Sequence, residues 1–175
     1  MSNLLKNIIR FMLFAFVQLF ILDQVPLLHQ FVKPYLYFLF ILWLPFSLSR
    51  FWLMIVAFMF GLTMDYFTQN FGLHAAPCVL IAFLRPTILN ILIAKETTEQ
   101  NYVEPSIKSM GFGPYSIYVT ILVLVHHFYL VLIEWLQFGN FFYFIGKIFA
   151  SGALSLLLIL ITEMLFYRNS KLRLV

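Results

Sequence analysis

GLTMDYFTQNFGLHAAPCVLIAFLRP, from Gly61 to Pro86, carries the polar break between two long apolar runs. A helix crosses a hydrocarbon layer with about 20 apolar residues. Phe51–Thr68 and Leu73–Ala94 both meet that requirement, and the few residues between them make the pair a hairpin. The same stretch holds Asp65, His74 and Arg85. Ionisable groups in such surroundings are costly, so each must be held by something or act on something.

Working outward, the whole chain shares this character. Of its 175 residues, 63% are hydrophobic and 10% charged, against about a quarter charged in a soluble domain. So few charges cannot cover a water-facing surface, which makes lipid the solvent. The expected fold is all-α, a single domain over 1–175 forming an integral membrane bundle of six transmembrane helices. The spans are Ile8–Leu28, Pro34–Leu48, Phe51–Thr68, Leu73–Ala94, Tyr115–Leu136 and Phe141–Tyr167. The second is the shortest, and Pro45 lies near its end. Lys6 and Arg10 precede the first apolar run as in a signal peptide, but no small-residue cleavage site follows, so it reads as an uncleaved span.

The basic residues orient this bundle. With the N-terminus inside, the cytoplasmic segments hold Lys6, Arg10, Arg50, Lys95, Lys108, Arg168, Lys171 and Arg173, the outside loops hold only Lys33, and Arg85 and Lys147 fall inside spans. Positive charges accumulate on the cytoplasmic side of membrane proteins, so this bias supports six spans with both termini cytoplasmic. It also explains the net charge of +4 without nucleic acid. Trp52 and Trp135 fall near span ends, where aromatic belts form. The one long polar loop, Lys95–Pro114, reads as a solvated connector.

Asp23, Asp65 and Glu134 map near the outer ends of odd-numbered spans, and Lys147 begins the last span on that side. They either pair between helices or reach interfacial water. Arg85 lies deeper, about 18 Å along its helix from Leu73. An arginine near a helix centre costs about 2.5–3.5 kcal/mol to insert. Pro86 crowds the carbonyl of Ala82, so Arg85 either donates to freed carbonyls or snorkels inward. Asp65 and Arg85 sit at different depths, and a link between them needs a bridging helix or water. His74 is expected as a cap or turn residue.

His126 and His127 are adjacent, so their side chains diverge by about 100° and cannot share a metal as an i, i+4 pair does. One of them is expected to face the bundle as a hydrogen-bonding residue. No serine elbow, paired carboxylates, metal motif or nucleotide loop is present, and no cofactor is expected. The single cysteine, Cys78, follows Pro77 in an apolar helix, where a thiol stays protonated and inert. Gly146, Ala150 and Ala153 form a small-residue stripe on the last span, beside Ser151 and Ser155. Such a stripe lets helices approach closely, within this bundle or with a partner chain; the first is favoured.

"GLTMDYF" followed by "FGLHAAPCVLIAFLRP" resembles the MreD family of rod shape-determining proteins, in its Bacteroidota-like form. Gly61, Asp65, Gly72-Leu73-His74-Ala75 and Arg85-Pro86 carry the likeness, and "HHF" and Glu134 agree with it. It covers about Gly61–Ile93; beyond that, length, span number and the place of the polar loop agree. The resemblance implies a non-enzymatic subunit of the cell-elongation machinery in the bacterial inner membrane. It implies association with an MreC-like protein and, through it, with an MreB-like filament and the RodA–penicillin-binding-protein synthase. It also implies a fold similar to the substrate-binding subunit of energy-coupling-factor transporters. Asp65, His74 and Arg85 would then hold conformation or face a partner. A vitamin-type binding subunit of a transporter is the alternative. Against it, the first span, "IIRFMLFAFVQLFIL", has only Ala15 as a small residue, where such subunits carry small residues four apart. A membrane enzyme is a third reading, disfavoured by the missing motifs.

Overall fold

Five stretches are helical and apolar enough to cross a membrane: Leu4–Leu22, Arg50–Thr68, Ala75–Leu92, Phe112–Glu134 and Phe141–Leu165. The computed structural model describes residues 3–24, 32–93, 103–138 and 141–166. Helix α1 (Asn3–Phe16) continues into a π-helical stretch, Val17–Leu22. There follow α2 (Leu39–Leu42), α3 (Arg50–Thr68), α4 (Ala75–Leu92), α5 (Ile107–Met110), α6 (Phe112–Phe138) and α7 (Phe141–Leu165), with no strand among the described residues. Between 22% and 44% of each span is buried. The rest presents side chains such as Phe58, Phe83, Phe149 and Leu160 outward, as lipid contact requires. The chain has the build of a multi-pass membrane protein.

The expected second helical span, Pro34–Leu48, is not a helix. Residues 32–36 have no regular secondary structure, α2 makes a single turn, and turns follow to Ser49. Two prolines explain much of this. Pro34 has no N–H to give and biases Lys33 towards extended backbone, and Pro45 bars continuation of α2. The apolar run between them is nevertheless buried without a break from Pro34 to Pro45. It threads the interior of the bundle. Irregular backbone is tolerated at membrane depth only when protein surrounds it.

Its direction follows from its neighbours. Phe11 packs on Phe60 and Phe20 faces Phe67, so α1 and α3 run the same way. The threaded segment runs back between them: Leu36 meets Gln18, late in the first helix, and Trp43 lies 5.5 Å from the Arg10 guanidinium, early in it. Trp43 also donates to Tyr115 at 3.2 Å and packs near Phe166.

The α3–α4 hairpin is the tightest pairing. A Cβ on Gly61 would lie 2.4 Å from the Cα of Ala75, so only glycine lets the helices approach this closely. Gln69, at φ 59°, ends α3 in the left-handed region, and Gly72, at φ 89°, turns the chain into α4. Helix α6 lies against α4 and α7.

The second half of the polar loop is not the solvated connector expected. Glu104, Ser106 and Ser109 are buried, and Glu104 pairs with Lys6 and Arg10 at 2.9 Å each. Ser106 caps α5 by accepting from the Ser109 amide. Residues 95–102 of that loop lie outside the described residues, as do Val25–Leu28 of the first expected span, Ala94 of the fourth and Tyr167 of the last.

Candidate functional site

Asp65 sits in the last turn of α3, fully buried, and organises the start of α4. One carboxylate oxygen accepts the amides of Gly72 at 2.9 Å and Ala75 at 3.1 Å; the other accepts that of His74 at 2.7 Å. The first amides of a helix have no partner within it and carry partial positive charge. A carboxylate reaching across the turn satisfies them. His74 Nδ1 lies 2.9 Å from the same carboxylate. An ionised carboxylate only accepts, so Nδ1 carries the hydrogen. His74 is thus a turn residue, as expected, and Asp65 is the cap.

Arg85 occupies a separate place. Its Nε donates to the Tyr118 hydroxyl at 3.0 Å and an η nitrogen donates to the Leu44 carbonyl. Tyr118 in turn donates to the Leu42 carbonyl at 2.9 Å. Arg85 therefore serves carbonyls of the threaded segment rather than the Ala82 carbonyl or the membrane edge. No bridge joins it to Asp65 among the described residues.

The other end of the threaded segment is held by Gln18, which carries no signal as sequence, and by serines and histidines whose partners the sequence does not name. Gln18 Oε1 accepts the amides of Leu36 at 2.8 Å and Tyr37 at 3.3 Å, and its amide donates to the Pro34 carbonyl at 3.1 Å and to Asp23 at 2.8 Å. Ser151 and Ser155 of α7 accept the amides of Lys33 and Tyr35. Both histidines of α6 face this segment, not one. Tyr37 Oη lies 2.7 Å from His126 Nε2, and the imidazole stacks on Phe38. His127 Nδ1 donates to the Val123 carbonyl, which leaves Nε2 to accept from Ser155 Oγ at 3.0 Å.

Glu134 and Lys147 form an ion pair between α6 and α7. Together with Tyr35, His74, Asp23 and Lys33 they border a basin of about 1330 Å³ at the end of the bundle that carries the α3–α4 turn. Asp65 and Arg85 do not line it. The stripe of Gly146, Ala150 and Ala153 faces outward, and a Cβ on Gly146 would meet nothing. It does not pack within this bundle as favoured, because α7 turns Lys147, Ser151 and Ser155 inward to serve polar partners. No group of three potential metal ligands occurs among the described residues.

Comparison with protein-family models, curated proteins and solved structures finds no match.

Proposed function

We propose that this protein is a non-enzymatic membrane scaffold of the MreD kind, which supports peptidoglycan synthesis and cell shape by holding an MreC-like partner. The observation that carries this reading is the use made of the Gly61–Pro86 motif. Asp65 caps α4, His74 braces Asp65, and Arg85 pins the threaded segment. Asp65, His74 and Arg85 are each engaged in holding backbone or one another, which is a structural use of the three ionisable groups. A motif devoted to shape suits a protein whose product is its own surface. The outward stripe Gly146, Ala150 and Ala153 is the surface proposed for a partner helix, since helices in lipid associate by close packing.

In this reading the threaded segment 34–48 is the second of six crossings, and the basic residues place both termini in the bacterial cytoplasm. The likeness to the substrate-binding subunit of energy-coupling-factor transporters belongs to the same proposal, as does indirect contact with an MreB-like filament and the RodA–penicillin-binding-protein synthase. Neither a cofactor nor nucleic acid enters it.

The basin favours a second reading, a small-molecule binding subunit of a transporter, because ligand sites are concave with a few convergent polar groups. Co-purification in mild detergent separates the two. Recovery of an MreC-like protein, with rounding of rod cells on depletion, supports the scaffold. Recovery of a transport ATPase, with normal cell shape and failed uptake, replaces it.

A further inference from the structure

The basin shares a wall with a second cavity. An apolar groove of about 540 Å³ runs along α3 and α4, and Gly72, Ala76 and Tyr129 border both spaces. Below that junction its walls include Met54, Phe58, Val79 and Phe83. Phe58 and Phe83 are exposed on the outer face of the bundle. From Ala75 to Phe83 the groove covers about 12 Å of helix, within the roughly 15 Å depth of one leaflet of a 30 Å hydrocarbon core.

The basin's charges are unevenly satisfied. Lys147 is paired with Glu134. The Asp23 carboxylate is met only by the neutral Gln18 amide, and the Lys33 ammonium by no acceptor, among the described residues. Among the described residues, one anion and one cation without a charged partner therefore border a polar chamber that adjoins an acyl-sized groove.

We infer that basin and groove together bind one phospholipid with a zwitterionic ethanolamine headgroup. Lys33 takes the phosphate, Asp23 takes the ammonium, and one acyl chain descends past Ala76 and Tyr129 between α3 and α4. A water-soluble ligand would leave the groove unused. An anionic lipid would satisfy Lys33 but bring no cation to Asp23. This inference goes beyond the scaffold reading and stands without it, since binding is measured on the isolated chain.

The test is native mass spectrometry of the full chain, delipidated in detergent and titrated with dioctanoyl-phosphatidylethanolamine. Dioctanoyl-phosphatidylglycerol and chain-free O-phosphoethanolamine are the comparators. One ethanolamine lipid should bind per chain, and the glycerol lipid about tenfold more weakly. Lys33→Ala and Asp23→Asn should each weaken binding roughly threefold, as loss of one solvent-reached charge contact does. Ala76→Phe, which closes the junction, should weaken it about tenfold or more. Val79→Trp, lower in the groove, gives the same test should Ala76→Phe not fold. Equal binding of the two lipids overturns the proposal. So does undiminished binding by a folded junction variant, or chain-free headgroup that competes as strongly as the lipid.

Discussion

Polar side chains hold backbone in two regions of this apolar bundle, and they differ in reach. At the α3–α4 turn, Asp65 gathers amides 7, 9 and 10 residues away. At the threaded segment, Arg85 reaches a carbonyl 41 residues away and a hydroxyl 33 residues away. The first is a local cap, closed as soon as the hairpin turns. The second exists only once α4, α6 and the segment have met. They differ also in access to water. Gly72 and His74 border the basin, whereas Arg85 and its partners lie in the core. An unmade hydrogen bond is cheap where water can replace it and costly where it cannot. The threaded region is therefore the more sensitive of the two.

The largest expected effect follows from that contrast. Arg85→Ala strands the Leu44 carbonyl and the guanidinium-facing side of Tyr118 and leaves a cavity, at a cost of about 3–5 kcal/mol. The yield of folded protein, followed by fluorescence-detected size exclusion after heating, should fall sharply. Arg85→Lys should recover little, because lysine lacks the planar fork that meets two acceptors at once. Normal heat resistance of Arg85→Ala would mean that water reaches this site too, and the contrast would fail.

Asp65→Ala comes next. It frees three amides and leaves His74 without its acceptor, but the neighbouring basin supplies water, so about 2–3 kcal/mol is expected. Asp65→Asn keeps a side-chain oxygen for one or two amides and should lose about half as much. Because the regions share no partner, the Asp65→Ala and Arg85→Ala losses should add within about 0.5 kcal/mol. A large departure in heat-resistance measurements on the double variant would expose a coupling that the hydrogen bonds do not contain.

The same contrast explains what could be read from sequence. Five of the six expected spans exist as helices because apolar length is a local property. His74 was legible as a cap or turn residue because it opens the fourth span just after Phe71-Gly72. The threaded segment was not legible: "YLYFLFILWL" between Pro34 and Pro45 has the hydropathy of a helix. Its irregular form depends on Gln18, Tyr118, Ser151 and Ser155, which as sequence are unremarkable polar residues on apolar helices. Arg85 was legible as structural, but its partner was not. Glu104 was hidden for a like reason, since only the approach of Lys6 and Arg10 turns a loop carboxylate into a buried one. The stripe on α7 had the spacing of a packing face, and spacing alone does not say towards which neighbour.

Gly61 sharpens the local side of the comparison. Gly61→Ala places a methyl against the Ala75 backbone, which cannot rotate away as a side chain would. The hairpin must open by about 1 Å to restore ordinary contact, for about 1–3 kcal/mol. Opening it also draws Asp65 from the amides it caps. The loss from Asp65→Ala should therefore shrink in a Gly61→Ala background, a sub-additive pair measurable by the same heating assay. Arg85→Ala should cost as much in that background as in the native one.

The smallest effect is expected at the Glu134–Lys147 pair, which tests whether water access or ion pairing sets the cost. The pair looks strong on paper: Lys147 is buried, and the carboxylate is only 24% exposed. Yet both residues line the basin, and the Lys147 ammonium also lies 5.8 Å from the Tyr143 ring. Removal of Glu134 therefore leaves a cation with a ring face and water rather than a sealed charge. A cycle of Glu134→Gln, Lys147→Met and the double variant should give a coupling below about 1 kcal/mol, reduced further by salt. The range for a sealed pair is about 3–5 kcal/mol when one partner is removed. A coupling of that size, unmoved by salt, would mean that the basin excludes water. The Gly72 and His74 amides that Asp65 caps would then lose their access to water, and the two regions would no longer differ in the way that orders these predictions.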